Sequence, residues 1–132
     1  MALSVREMTG GFNILPIGPF NELEAGIIAA TVIKLIDGSD AGDPPMPLPG
    51  WIVGYMFSSE AGADFTIQFT KNGTKDTATT ITVDAAKENA MLKPSEYVEF
   101  AAGDTIGLEV VADTTSKDFA GFILVALNTA GA

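Results

Sequence analysis

Between residues 64 and 70 the chain reads Asp64-Phe65-Thr66-Ile67-Gln68-Phe69-Thr70, with polar and apolar side chains in strict alternation. A period of two belongs to an extended strand, so the run predicts a β-strand with one face on a core and the other on water. Ile81 and Val83 oppose Thr80, Thr82 and Asp84 in the same way. Between the two runs stands Asn72-Gly73. Both residues accept the positive φ that a two-residue type I′ turn demands, so 63–71 and 74–83 are expected to form one hairpin. Asn72-Gly73-Thr74 also spells a glycosylation sequon, but without a readable secretory signal the turn is the preferred reading.

Short runs rich in Val, Ile, Phe, Tyr and Thr, bounded by Gly, Pro, Asn and Asp, continue through the rest of the chain. They place further strands near 24–36, 51–58, 95–101, 104–112 and 119–127, and the spacing suits an all-β, antiparallel β-sandwich. Residues 84–93 read as a helical turn or a loop before Pro94. Residues 1–21 differ, because Gly10, Gly11, Pro16, Gly18 and Pro19 interrupt the apolar Phe12, Ile14, Leu15, Ile17 and Phe20. Proline removes ladder donors and glycine loosens the backbone, so no regular central strand is expected there. The expected organisation is an extended N-terminal arm over 1–21, lying on its own domain or on a neighbour, and a sandwich domain over 22–132. Removing 2–21 is then expected to weaken partner binding and leave the fold intact.

Three runs break the simple alternation. Ala25 to Ile33, Trp51 to Phe57 and Ala120 to Leu127 are apolar or small at both parities, with Phe122 and Leu124 on one side and Ile123, Val125 and Leu127 on the other. Strands of this kind need cover on two faces, whereas a single sandwich covers only the inner one. Self-association supplies the second cover, since at about 25 cal/mol per Å² even a few hundred Å² of apolar surface is worth several kcal/mol before association entropy. Cover by the N-terminal segment or a helix is the competing explanation. The residues expected at an interface are Phe12, Ile14, Leu15, Ile17 and Phe20 on the arm, Trp51, and Phe122, Ile123, Val125 and Leu127 on the last strand.

Composition narrows the chemistry. The 132 residues include 17 acidic and 7 basic side chains, a net charge of -10, and neither His nor Cys. Disulfides, thiolate nucleophiles, Cys or His metal sites and the usual neutral-pH general base are thereby excluded. Seven scattered Lys and Arg make no patch that follows a phosphate backbone, so no nucleic-acid partner is expected. The longest apolar stretch, Ala25 to Ile33, falls far short of the ~20 residues of a membrane span, and no membrane partner is expected. Residues 1–11 carry no readable signal peptide, so synthesis in a cytoplasm is expected. No nucleotide, P-loop or nucleophile-elbow pattern occurs, and the hydroxyls of Ser58-Ser59-Glu60 and Lys93-Pro94-Ser95-Glu96 have the composition of turns. The reading is a non-enzyme without cofactors, a hydrolase on a sandwich scaffold being the remote alternative.

Two loops carry residues with ligand chemistry. Asp37, Asp40 and Asp43 set three carboxylates in a Gly-rich loop with the oxygen chemistry calcium accepts. The terminal glutamate of an EF-hand is missing and Pro44-Pro45 follows at once, so a solvated turn is expected, with calcium as the alternative. Pro44-Pro45-Met46-Pro47-Leu48-Pro49 favours polyproline II and is read as a stiff inter-strand loop before Trp51. Trp51 reads as a sandwich or interface anchor, the alternative being a carbohydrate-stacking platform.

The unit Ala101-Ala102-Gly103-Asp104-Thr105-Ile106-Gly107-Leu108-Glu109-Val110 followed by Asp118-Phe119-Ala120-Gly121-Phe122-Ile123-Leu124-Val125 resembles the last two strands of the C1q and tumour-necrosis-factor-like jelly rolls. That superfamily opens a strand with a Gly-Asp turn and packs its final strand in a trimer. The resemblance implies a homotrimer whose inner sheet lies at a threefold interface. The chain departs from secreted members of the group in having no Gly-X-Y stalk and no disulfide. A short, acidic, cysteine-free jelly roll with a Gly/Pro-rich arm resembles in kind the decoration or cement proteins of tailed bacteriophages. That likeness implies a structural virion protein made in the host cytoplasm, whose trimers bind the outer lattice of the major capsid protein and clamp it against internal DNA pressure. The alternative is a C1q-like or lectin-like module that recognises a receptor or a glycan.

Overall fold

A computed structural model of the chain describes residues 13–22, 32–35, 45–59, 65–83, 87–111 and 119–129. Among them run nine strands: β1 (Asn13–Glu22), β2 (Val32–Leu35), β3 (Gly50–Ser58), β4 (Phe65–Lys71), β5 (Thr74–Val83), β6 (Lys87–Met91), β7 (Val98–Phe100), β8 (Ile106–Val110) and β9 (Phe119–Leu127). The first pairs antiparallel with the last, β2 with β8, β3 with β7, and β4 with β5. Such nested pairing describes one long hairpin, and wrapping it produces a jelly roll. Lateral pairs of β9 with β3 and β8 with β4 complete two packed antiparallel sheets. One holds β1-β9-β3 with β6 and β7 end to end along the far edge of β3; the other holds β2-β8-β4-β5. A short pairing of β1 with β2, Phe20 to Leu35 and Asn21 to Lys34, joins them at one side. The all-β antiparallel sandwich expected from the alternation is the fold observed.

The hairpin at Asn72-Gly73 forms as expected, with φ of +52° and +80°. Ile67 and Phe69 point into the core and are fully buried. The opposite face of β4 does not meet water as the alternation predicted, since Gln68 and Thr70 are only 7% and 4% exposed. β4 is flanked on both sides, and its neighbours close over it. Gln68 Nε2 donates to Thr80 Oγ1 at 2.9 Å on β5, while Lys75 and Glu109 form an ion pair at 3.3 Å. The sheet's polar face is thus partly covered by its own cross-strand contacts.

Residues 84–93 contain a strand rather than a helical turn. The free edge of β3 takes up β6 over Lys87–Met91, and Leu92 N–H donates to Val53 O at 2.7 Å. The strand expected over 95–101 shrinks to β7, preceded by a 3-10 turn at Pro94–Glu96.

The largest correction concerns the expected arm. Residues 13–22 are a strand paired with β9 from Asn13 to Glu22, and Phe20 is fully buried. Over 13–17 the described pairing of β1 is with β9 alone, so Pro16 can leave its missing donor on the unpaired edge. Gly18 and Pro19 occupy the bulge where the register shifts between Ile17 and Phe20. Gly18 has φ +144°, and a Cβ there would lie 2.8 Å from Gly121 O, so only glycine fits. The bulge turns Phe20 onto the core, opposite Gly121. Phe12 lies outside the described residues.

The core binds the two sheets through aromatics. Tyr55 stacks on Phe57 at 4.8 Å, Phe57 meets Phe119 at 5.2 Å, and Tyr55 reaches Phe69 of the opposite sheet at 6.5 Å. Truncating Phe20 within this core, Phe20→Ala, is expected to lower the unfolding free energy by about 3–5 kcal/mol in urea titration. Deleting 2–21 removes β1 and Phe20 together, and the product is expected to lose its cooperative unfolding transition. A truncated chain that melts like the full chain would restore the arm description.

Candidate functional site

One residue decides what the β1-β9-β3 sheet shows to the outside. Along β9 the buried Phe119, Ile123 and Val125 face the core and the half-buried Ala120, Phe122 and Leu124 face away from it. On β3 the register shifts between Ile52 and Gly54, with Val53 as the extra residue. Ile52 therefore pairs with core-facing Val125, Tyr55 pairs with core-facing Ile123, and Gly54 and Met56 pair with outward Leu124 and Phe122. Without the bulge, Tyr55 and Phe57 would be turned to the outer face.

Register extends this outer face across the sheet. Ile14 and Pro16 of β1 pair with Ala126 and Leu124, Trp51 pairs with Ala126, and Met91 of β6 pairs with Gly54. At Gly54 the neighbours close over the backbone, where a Cβ would come within 2.7 Å of Ala90 O, 3.0 Å of Met91 Sδ and 3.3 Å of a Leu124 methyl. Met56, Met91, Phe122 and Leu124, with Ser58 and Asn89, line a groove of about 560 Å³. Ile14 is 48% exposed, Met56 41% and Met91 54%. Among the described residues, the outward positions of β1, β9 and β3 carry no charge; Lys87 and Glu99 stand opposite Ser58 and Trp51, at either end of the β6–β7 edge.

The expected interface residues divide along the same line. Phe122 and Trp51 occupy the outer face and are half-buried, Ile14 and Leu15 are exposed, and Ile17 packs against the core from its margin. Phe20, Ile123, Val125 and Leu127 are corrected from interface to core: their parity points them at the second sheet, and none is more than 7% exposed. Met56, Met91 and Leu124 belong to the outer face and were not singled out as contact residues. The both-parity apolar runs over 51–57 and 120–127 contained the signal for Met56 and Leu124. Of the third such run, only Val32 and Ile33 are described, in the opposite sheet beside β8. Asp37, Asp40 and Asp43 lie outside the described residues. Among the described residues no cluster of three metal-ligating side chains occurs.

Of the hydroxyls and carboxylates in Ser58-Ser59-Glu60 and Lys93-Pro94-Ser95-Glu96, Ser58 and Glu96 have hydrogen-bond partners, and Glu60 lies outside the described residues. Ser58 Oγ donates to Ala120 O at 3.5 Å, and Lys93 N–H donates to Glu96 Oε1 at 3.0 Å, within a capped 3-10 turn.

At one end of the sandwich a polar joint ties three connections together. Asn72 Nδ2 donates to Asp104 Oδ1 at 3.0 Å, Thr105 N–H donates to Asn72 Oδ1 at 3.0 Å, and Asn72 N–H donates to Thr105 O at 2.9 Å. Ala101 N–H donates to Asp104 Oδ2 at 2.8 Å, and Met46 N–H donates to Asp104 O at 2.8 Å. The bond from Asn72, then that from Ala101, hold the Asp104 carboxyl below its ordinary value of 3.8, with Lys71 adding to the effect. A carboxylate whose pKa is depressed by folding stabilises the fold above the unfolded-state value and loses that contribution as pH falls through the folded one. Melting temperature is therefore expected to drop more steeply below pH 3.8 in the wild type than in Asp104→Asn. Parallel acid limbs in thermal melts would show that the joint does not couple to folding.

No family model, curated protein or solved structure matches this chain.

Proposed function

We propose that the protein is a structural homo-oligomer, a trimer assembled through the outer face of the β1-β9-β3 sheet, and that it serves as a decoration protein on the outside of a phage capsid. The observation that carries this reading is the apolar, charge-free face of Ile14, Met56, Met91, Phe122 and Leu124 on a chain of net charge -10. Copies of so acidic a chain repel one another over most approaches, and a neutral apolar face is where a second copy meets the least repulsion and loses the most water-exposed apolar area. The C1q and tumour-necrosis-factor-like jelly rolls, which the last two strands resemble, use their inner sheet at a threefold axis. The capsid role rests on the likeness in kind to decoration proteins, whose partner is the assembled lattice of the major capsid protein. Binding only the assembled lattice stabilises it by mass action. Trp51 lies within a strand, opposite Ala126 and Glu99, which favours a contact surface over a glycan platform at a loop tip.

Light scattering on the purified chain is expected to give three times the chain mass. Met91→Glu and Leu124→Glu each set a carboxylate on the apolar face and are expected to give monomers. Because Met91 is already exposed, its substitution is expected to change monomer unfolding by no more than about 0.5 kcal/mol. Co-sedimentation with expanded phage capsids is expected for the trimer and lost in both variants. A monomeric wild type would overturn the oligomer, and a trimer that ignores capsids would overturn the decoration role alone.

A further inference from the structure

We propose that Asn72 is a latent deamidation site that the native joint protects, and that its conversion to aspartate or isoaspartate irreversibly opens the joint between the β4–β5 turn and the β7–β8 turn.

Asn72-Gly73 is the sequence in which this reaction is easiest, because no side chain on the following residue hinders the approach. The backbone nitrogen of Gly73 attacks the side-chain carbonyl carbon of Asn72, the new C–N bond closes a succinimide, and ammonia leaves with the amide nitrogen. Water then opens the ring at either carbonyl, giving aspartate or isoaspartate. The side-chain position of Gly73 faces open space, with no atom of another part of the chain within 4 Å of an added Cβ, and Asn72 is exposed to the water the second step consumes.

What opposes the reaction is the position of the carboxamide. Its oxygen accepts from Thr105 N–H and its nitrogen donates to the Asp104 carboxylate, both at 3.0 Å, while Asn72 N–H is bound to Thr105 O. Rotating the carboxamide to present its carbon to Gly73 breaks both side-chain bonds, one of them to a charged acceptor. The reaction therefore proceeds through the fraction of molecules in which the joint is open. The same arrangement makes the product self-disrupting. An aspartate at 72 replaces the donor facing Asp104 Oδ1 by a second carboxylate oxygen, turning attraction into repulsion between like charges. Asp104 also anchors Ala101 and Met46, so the damage spreads from the turn to both connections it ties down.

The test follows Asn72 by peptide mass mapping while the full chain is held in mildly alkaline buffer. Native protein is expected to convert more than about tenfold more slowly than the same chain in urea, the factor set by the two bonds that must break. Asp104→Ala is expected to lose most of that protection while keeping the wild-type circular dichroism. Should Asp104→Ala unfold, amide exchange at Thr105 in the wild-type chain gives the opening equilibrium directly, and the deamidation rate is expected to track it. Asn72→Asp, the product prepared in advance, is expected to melt below the wild type, with the gap closing at acid pH as the paired carboxylates protonate. Equal rates in native and unfolded chains, or an Asn72→Asp chain that melts like the wild type, would overturn the proposal.

Discussion

A strand hydrogen-bonded along both edges has only its two faces left to give, and β9 is such a strand, held between β1 and β3. Its inward face supplies Phe119, Ile123 and Val125 to the core, and its outward face supplies Phe122 and Leu124 to the surface. Both neighbours must match it register for register, and neither does so without an irregularity. β1 matches through the bulge at Gly18 and Pro19, which brings Phe20 onto the core opposite Gly121. β3 matches through the bulge at Val53, which returns Tyr55 and Phe57 to the core. The aromatic contacts that hold the second sheet and the apolar face on the outside follow from that one central strand.

Local pattern was legible in the sequence, and what depends on distant partners was not. The alternation over 64–70 and the Asn72-Gly73 turn are properties of a few adjacent residues, and both strands and turn stand where they were expected. The two-faced character of 51–57 and 120–127 was legible for the same reason. The prolines of β1 read as strand breakers because the sequence does not say that, among the described residues, most of β1 pairs on one side only, which is where a missing donor is tolerated. Nothing near Val53 announces a bulge, since an extra residue has meaning only against the strand it faces. Met91 escaped notice because it sits in a segment with no clear period, recruited as a strand by the open edge of β3. Gln68 and Thr70 were expected in water because alternation reports polarity and does not report how far neighbouring side chains reach.

The candidate site was legible to a corresponding degree. The apolar character of both faces was readable from parity, and Phe122 and Trp51 stand on the outward one. Ile123, Val125 and Leu127 were misassigned because a two-faced strand offers two apolar faces, and only the position of the second sheet says which is already occupied. The bond between Asn72 and Asp104 spans 32 positions and had no local signature.

The uncharged outer face of the β1-β9-β3 sheet has a consequence for how the chain responds to its medium. An interface held by ion pairs loosens as ionic strength rises, whereas copies that carry -10 each and meet on an apolar face are held apart mainly by mutual repulsion. With a screening length of about 8 Å at physiological ionic strength, that repulsion survives dilution into weak buffer and fades in concentrated salt. For the proposed assembly this is a salting-in problem in reverse: copies are expected to disperse where electrolyte is scarce and to be drawn together where it is plentiful.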